Sequence, residues 1–426
     1  MQAVLKDWGF FALAAAAGVI ESLLGLSLVA SELSSLAYAE WAVLTAAMVV
    51  VGAASQWGLK TGYMQMVVDE PRRSRQRQSL RAGMIFLTVT GAVAGVLVAL
   101  SLALMAAFKQ WESTDVLWLL PALMALGNAQ MLLVTDLRIR RKLGWLSWLT
   151  AVRVPFYAVV ILGLQMLGLE GLFLVLSASL VISAWMFAML ALVVKPGWQA
   201  TLRWHFLPAA LRLGTPIMLG LVAKYCADAT VHMGIRWLGS ETLAGDWGRY
   251  QRILEAMNAL YFGALMMAWS PNAILMAGGR SPNEVQQLQQ AAHKALLLCL
   301  LGLPLSLLWS MGMQASLSGL ETSEQLGPWV FAAVLARMAA FSALSMANYG
   351  MVVIRQYGLS LKFYLWELAL TLITVLSSLA MGYERLALVF IGGLPWLVVA
   401  VCLWKVSPEL ARRQKLKSAL LTPEAQ

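Results

Sequence analysis

Charge is scarce in this sequence: 12% of its 426 residues are Asp, Glu, Lys or Arg, whereas 60% are hydrophobic. A soluble domain of that length cannot hide so much apolar surface in one core, so a water-soluble fold is excluded. Cysteine is nearly missing as well, and Cys226, Cys299 and Cys402 all fall inside apolar runs. An odd number in such places excludes a disulfide framework and fits packing. The apolar runs lack the strict alternation of membrane-barrel strands. Long polar connections are missing too: the longest acidic ones run to roughly a dozen residues, too short for an external catalytic module.

What the chain has is length without polarity. Runs of about 20 apolar residues, enough at ~1.5 Å per residue to cross ~30 Å of hydrocarbon, fall at 9–30, 41–60, 83–107, 116–135, 145–166, 171–194, 210–238, 250–276, 292–313, 328–350, 363–382 and 386–405. The first is read as a span rather than a cleaved signal peptide, because apolar sequence continues past Glu21 to Ala30. Backbone polar groups in a bilayer must bond within their own element, so these twelve segments are expected to be helices. The fold class is therefore all-α integral membrane.

The connections alternate in charge. Lys60, Arg72, Arg73, Arg75, Arg77 and Arg81 mark one; Arg138, Arg140, Arg141 and Lys142 the next; then Lys195, Arg203 and Arg212, and the tail's Lys405, Arg412, Arg413, Lys415 and Lys417. The intervening "SELSSLAYAE", "KQWESTD", "GSETLAGDWG" and "LETSEQLG" are mostly acidic. The positive-inside rule puts the basic set and both termini on the cytoplasmic side of a cytoplasmic membrane. Topology accounts for the net charge of +10, and no nucleic-acid partner is expected. The bulkiest basic connection, from Lys195 to Arg212 with Pro196-Gly197 at its start, divides the chain into six spans and six spans. Two six-helix bundles, 1–197 and 198–426, around a central cleft are expected, as in transporters built from repeated halves.

Function is sought where charge persists in hydrocarbon, since such residues survive facing protein interior or water. Lys224, Asp228, His232 and Arg236 recur every four residues along the seventh span, forming one gently spiralling stripe. Lys224 and Asp228 either line a water-filled cavity or neutralise each other; Arg236 either joins the site or snorkels to the interface. Glu21 lies mid-span beside Gly18, Ser22 and Gly25, either as a coupling group or as a protonated acid bonded to a neighbouring helix. Arg153 and Arg337 sit deep in the fifth and tenth spans, and Glu367, Thr371, Thr374 and Ser378 draw a polar face on the eleventh. Arg249, Arg252, Glu255 and Asn258 open the eighth as a gate or a structural cluster. The cations Lys224, Arg153, Arg337 and Arg236, with His232, Arg252 and Asn258, are candidates to bind an acidic or phosphorylated ligand. Asp228, Glu21 and Glu367 are candidates to couple transport to H⁺ or Na⁺. Gly214, Pro216 and Gly220 are candidate hinges, because proline removes a backbone bond and glycine loosens packing. No catalytic residue, resident cofactor or metal is expected.

Three stretches, "DLRIRRKLGWLSWLTAVRVPFYAVVILGL", "LRLGTPIMLGLVAKYCADA" and "GDWGRYQRILEAMNALYFGALMMAWSPNAI", the last holding Gly248, Tyr250 and Pro271, complete the pattern. With twelve spans in two halves, the chain resembles the multidrug/oligosaccharidyl-lipid/polysaccharide (MOP) exporter superfamily, in its polysaccharide-transporter branch of O-antigen and exopolysaccharide flippases. Arg249 and Arg252 depart from that branch, which more often has apolar or small residues there. The resemblance implies a bacterial inner-membrane protein that moves a polyprenyl-pyrophosphate-linked oligosaccharide by alternating access. Polysaccharide polymerase and chain-length proteins would be its partners besides membrane lipids. The rival readings are a drug or cation antiporter of the same superfamily, which favours an acidic, aromatic cavity, and a membrane polymerase or ligase, which needs a larger outer loop.

Overall fold

The computed structural model describes residues 44, 47–70, 72–107, 114–140, 142–197, 201–240, 242–244, 247, 327–353 and 357–421. The expected spans 9–30, 250–276 and 292–313 lie outside the described residues, and with them Glu21, Arg249, Arg252, Glu255 and Asn258. Among the described residues every regular element is a helix. In chain order they are α1 (47–55), α2 (Leu59–Asp69), α3 (Arg73–Ala107), a 3₁₀ turn (Thr114–Leu119), α4 (Leu120–Ile139), α5 (Leu143–Met166), α6 (Gly171–Val194) and α7 (Phe206–Leu238). Then come α8 (Gly327–Val353), α9 (Tyr357–Leu370), a π-helical turn (Thr371–Val375), α10 (Leu376–Ala380) and α11 (Glu384–Leu421).

Seven of the described helical stretches are long and apolar enough to cross a membrane: Arg73–Leu104, Val116–Ile139, Gly144–Met166, Gly171–Val194, Phe206–Ile235, Leu361–Ala380 and Glu384–Cys402. They coincide with the third to seventh, eleventh and twelfth expected spans. The second differs, because the helix breaks at 56–58 where an unbroken run to 60 was expected. Trp57 (φ 50°) and Gly58 (φ 69°) both adopt left-handed backbone, which interrupts the helical hydrogen-bond ladder before α2 resumes at Leu59. Gly58 is required twice over: a Cβ there would lie 2.0 Å from the Gly214 carbonyl oxygen of α7.

Contacts group the chain into two compact units, 16–222 and 223–426, the latter together with 1–15. The division falls inside α7, between Val222 and Ala223. In that unit Phe206, Leu207 and Ala210 of α7 join a core with Leu59, Tyr63, Leu80, Leu132 and Leu190. A second core there gathers Leu44, Ala94, Val98, Leu120, Met124, Ile161 and Leu176. Lipid tails are as apolar as leucine, so close packing rather than exclusion of water must hold helices together. Gly91 and Gly95, one helical turn apart, bring α3 against α4; Cβ atoms there would lie 2.5 Å from the Met124 carbonyl oxygen and the Pro121 Cα.

The other unit is built from the second half of α7 and from α8 to α11. Its cores form two apolar layers, one of Val231, Ile235, Val330, Val334, Val375, Leu388 and Ile391, the other of Ala223, Ala340, Leu344, Phe363, Tyr364, Val398 and Cys402.

Candidate functional site

Between those two layers each helix changes character. On α7 the residues between Ala223 and Val231 include Lys224 and Asp228; on α8 Arg337 lies between Leu335 and Ala340; on α9 Glu367 follows Tyr364 and precedes Val375. Four ionisable residues from three helices thus share one level of the unit. Arg337 donates from Nη2 to Asp228 Oδ1 at 2.7 Å and from Nη1 to the Ile391 carbonyl of α11 at 3.4 Å. The Arg337 side chain is 7% exposed and that of Asp228 26%, so the pair is largely withdrawn from its surroundings. The Arg337 guanidinium also stands 4.7 Å from the centre of the Phe341 ring, one helical turn along α8. Lys224 places its ammonium over the same ring at 4.5 Å, and over Tyr225 at 5.9 Å. Among the described residues Lys224 makes no ion pair.

Glu367 is fully buried, and neither carboxyl oxygen has a hydrogen-bond partner among the described residues. It stands in the electrostatic field of Arg337, Asp228 and Lys224. One turn further the helix widens into the π turn Thr371–Val375, a distortion that recurs at functional sites. The extra residue in the turn corrects the expected polar face: Thr371, Val375 and Ser378 point inward, while Thr374 is half-buried and donates to the Leu370 carbonyl at 2.7 Å.

The stripe expected on α7 therefore divides. Lys224 and Asp228 belong to the charged layer; His232 is exposed and accepts, at Nδ1, a hydrogen bond of 3.1 Å from Trp247 Nε1. Arg236 lies in the last turn of α7, and its side chain is outside what is described. Arg153 is half-buried on α5 in the first unit. Of the candidate hinges, Gly214 is a contact point: a Cβ there would sit 1.9 Å from the Gly58 carbonyl oxygen. Helix α7 runs through Pro216 without interruption, and Gly220 is buried.

Two features carried no signal for function in the sequence. Phe341 is an ordinary aromatic in an apolar run until Lys224 and Arg337 are seen over its ring. In the first unit, Asp136 is completely buried, accepts a 2.8 Å hydrogen bond from the Tyr63 hydroxyl and pairs with Arg140 Nε at 2.6 Å. Asp136 directly follows the fourth apolar run, at the start of a basic connection, where a lone carboxylate draws no notice. At the arginine-rich end of the same unit, Glu70 pairs with Arg203 at 2.8 Å and Arg75 at 3.9 Å. The Arg203 hydrogen bond, more than the Arg72 backbone N–H or the Arg75 charge, holds the Glu70 carboxyl below the usual range against a smaller desolvation cost. Gln78 also reaches Thr201 at 2.9 Å, so the 201–205 segment is tied once to the end of α2 at Glu70 and once to the first turns of α3 at Gln78.

No protein-family model and none of the curated proteins matches the chain. Solved structures do. The MATE transporter VcmN of Vibrio cholerae, in an Asp-to-Asn mutant form, aligns with a TM-score of 0.70 at 16% identity over 95% of this chain and 97% of its own. A MOP-superfamily transporter from Pyrococcus furiosus, described as having a binding pocket of reverse polarity that suggests a different function, aligns with a TM-score of 0.76 at 12% identity over 96% and 95%. An outward-facing multidrug-resistance MATE transporter of that superfamily aligns with a TM-score of 0.74 at 13% identity over 97% and 96%. Two of these neighbours are MATE transporters and the third is described as a transporter of the MOP superfamily; they lend no support to the polysaccharide-flippase branch expected from sequence. The chain is a multi-pass membrane protein with the fold of the MATE transporters of the MOP superfamily.

Proposed function

We propose that the protein is an ion-coupled exporter that works as an antiporter for organic cations of drug-like size, with the charged layer of the second unit as its coupling site. The observation that carries this reading is Glu367, a fully buried carboxyl group with no donor on either oxygen among the described residues. A charge buried in that way has to be neutralised, and a group neutralised by an ion on one side of a cycle and released on the other couples ion flow to transport. Asp228, still a quarter exposed and held by Arg337, is the second coupling carboxylate. Likeness to a multidrug-resistance MATE transporter supports the same choice of cargo.

The lipid-linked oligosaccharide reading rested on an excess of cations. In this layer that excess is gone, because the two cations face two carboxyl groups and Arg337 is already paired with Asp228. What still favours it is Lys224, without an ion pair among the described residues, and a fold neighbour described as having a pocket of reverse polarity. Polymerase and chain-length partners belong to that second reading alone. In either case, alternating access draws on α7: Pro216 leaves the Arg212 carbonyl without its helical donor, which lowers the cost of bending this helix there, with Gly220 beside it.

The test is transport by the purified protein in proteoliposomes carrying an imposed proton gradient. Efflux of a fluorescent organic cation that collapses with the gradient, and that falls at least tenfold in Glu367→Gln at equal reconstitution, is the expected result. Gradient-independent behaviour, or accumulation of lipid-linked oligosaccharide in a deletion strain without any cation efflux, moves the assignment to the flippase.

A further inference from the structure

We propose that Lys224 is a tethered counter-cation for Glu367, filling the role that an external Na⁺ would otherwise fill whenever Glu367 gives up its proton. Coupling in this protein then runs on protons alone. The inference rests on the reading of this layer as the coupling site.

Helical spacing favours one pairing that the fold refuses. Lys224 and Asp228 are four residues apart on α7, the ordinary distance for a helical ion pair, yet Asp228 has been taken by Arg337 from α8 at 2.7 Å. Lys224 is left with an aromatic seat over Phe341 and no carboxylate partner among the described residues. Glu367 is left, among the described residues, with no hydrogen-bond partner on either oxygen. One cation and one carboxyl group therefore remain over within a single layer, already in each other's field.

A carboxylate in such a place has three means of neutralisation: a proton, a cation from outside, or a cation the protein carries. Among the described residues, the groups facing Glu367 are Arg337 of α8 and Lys224 and Asp228 of α7, with His232 one turn beyond Asp228; α11 contributes the Ile391 carbonyl through Arg337. Arg337 is held by three contacts at once, to Asp228, Ile391 and Phe341. Among the same residues Lys224 has its cation–π seats over Phe341 and Tyr225, on a flexible four-carbon stem whose compact ammonium moves between partners more easily than a guanidinium fork. With Glu367 protonated, Lys224 rests on Phe341; when the proton leaves, the ammonium swings to the new carboxylate and closes the site to Na⁺.

Thermal stability of the full-length protein in detergent, in NaCl against choline chloride at equal ionic strength, tests this without any need for turnover. The wild type is expected to show no Na⁺-specific shift. Lys224→Met and Lys224→Gln are expected to gain one of about 2–4 °C at roughly 100 mM Na⁺, and adding Glu367→Gln to either is expected to abolish it. Lys224→Arg, which keeps a cation, stays insensitive. The proposal is overturned by Na⁺-specific stabilisation of the wild type, by neutral variants that stay insensitive, or by a Na⁺ effect that survives Glu367→Gln. Should the neutral variants be recovered only in Na⁺ buffers, that supports the proposal; equal loss in Na⁺ and choline counts against it. A Na⁺ gain in the Lys224 variants alongside absent cation efflux would sink the organic-cation cargo and leave the tethered cation standing.

Discussion

Replacing Asp228 with alanine strips the buried Arg337 of the carboxylate it pairs with, and the structure sets the size of the loss. At an effective dielectric constant of about 20, two charges ~4 Å apart attract by about 4 kcal/mol. Breaking such a pair from one side costs ~3–5 kcal/mol because an uncompensated charge stays behind. The Ile391 carbonyl and the Phe341 ring remain to Arg337, and Asp228 is a quarter exposed, so the low end, about 3 kcal/mol, is expected. For a unit of roughly 200 residues this is a fall of about 6 °C or more in melting temperature. Arg337→Met costs less, because the carboxylate it strands is the more exposed partner and can take up a proton. Joining the two changes removes both charges, so Asp228→Ala/Arg337→Met should be more stable than Asp228→Ala alone, with a coupling of about 2 kcal/mol. The assay is a fluorescence-monitored melt of all four proteins in one detergent. Strict additivity, or an Arg337→Met loss larger than that of Asp228→Ala, would refute the assignment of this pair as a buried, mutually neutralising unit.

In the first unit, Gly214→Ala sets a methyl carbon 1.9 Å from a backbone carbonyl, which no side-chain rotation relieves; a loss of about 1–3 kcal/mol is expected in the same melts, whereas Gly163→Ala, with open space around its Cβ position, is neutral. Tyr63→Phe deletes the hydroxyl that donates to the buried Asp136 while leaving Arg140 in place, which is worth about 1.5–3 kcal/mol for a hydrogen bond to a charged group. The Glu70–Arg203 tie has a defined pH window: because the folded-state carboxyl titrates below its ordinary 4.5, its contribution is complete above that value and disappears as pH falls through the lowered one. Protection of segment 201–205 in hydrogen exchange, corrected for intrinsic rates, should hold at pH 5 and drop as acid is added below 4.5; in Glu70→Gln it should be low and flat throughout.

The membrane class and seven of the spans were legible from the sequence because they follow from one-dimensional facts: length, mean hydropathy and the cost of an unsatisfied peptide group in hydrocarbon. So were Lys224, Asp228, Arg337 and Glu367 as a set, since a charge inside an apolar run stands out wherever the chain later places it. Which of them would meet was not legible. Helical spacing favours Lys224 with Asp228, whereas the fold brings in Arg337 from 109 residues away, a choice set by how α7 and α8 pack. The π turn that swaps Thr374 for Val375, the left-handed break at Trp57 and Gly58, and the role of Phe341 are likewise products of packing. Composition and periodicity decide that these helices enter a bilayer, because that depends on each helix alone. Partnership among their charges depends on distances of a few ångströms between helices, and those exist once the helices have packed.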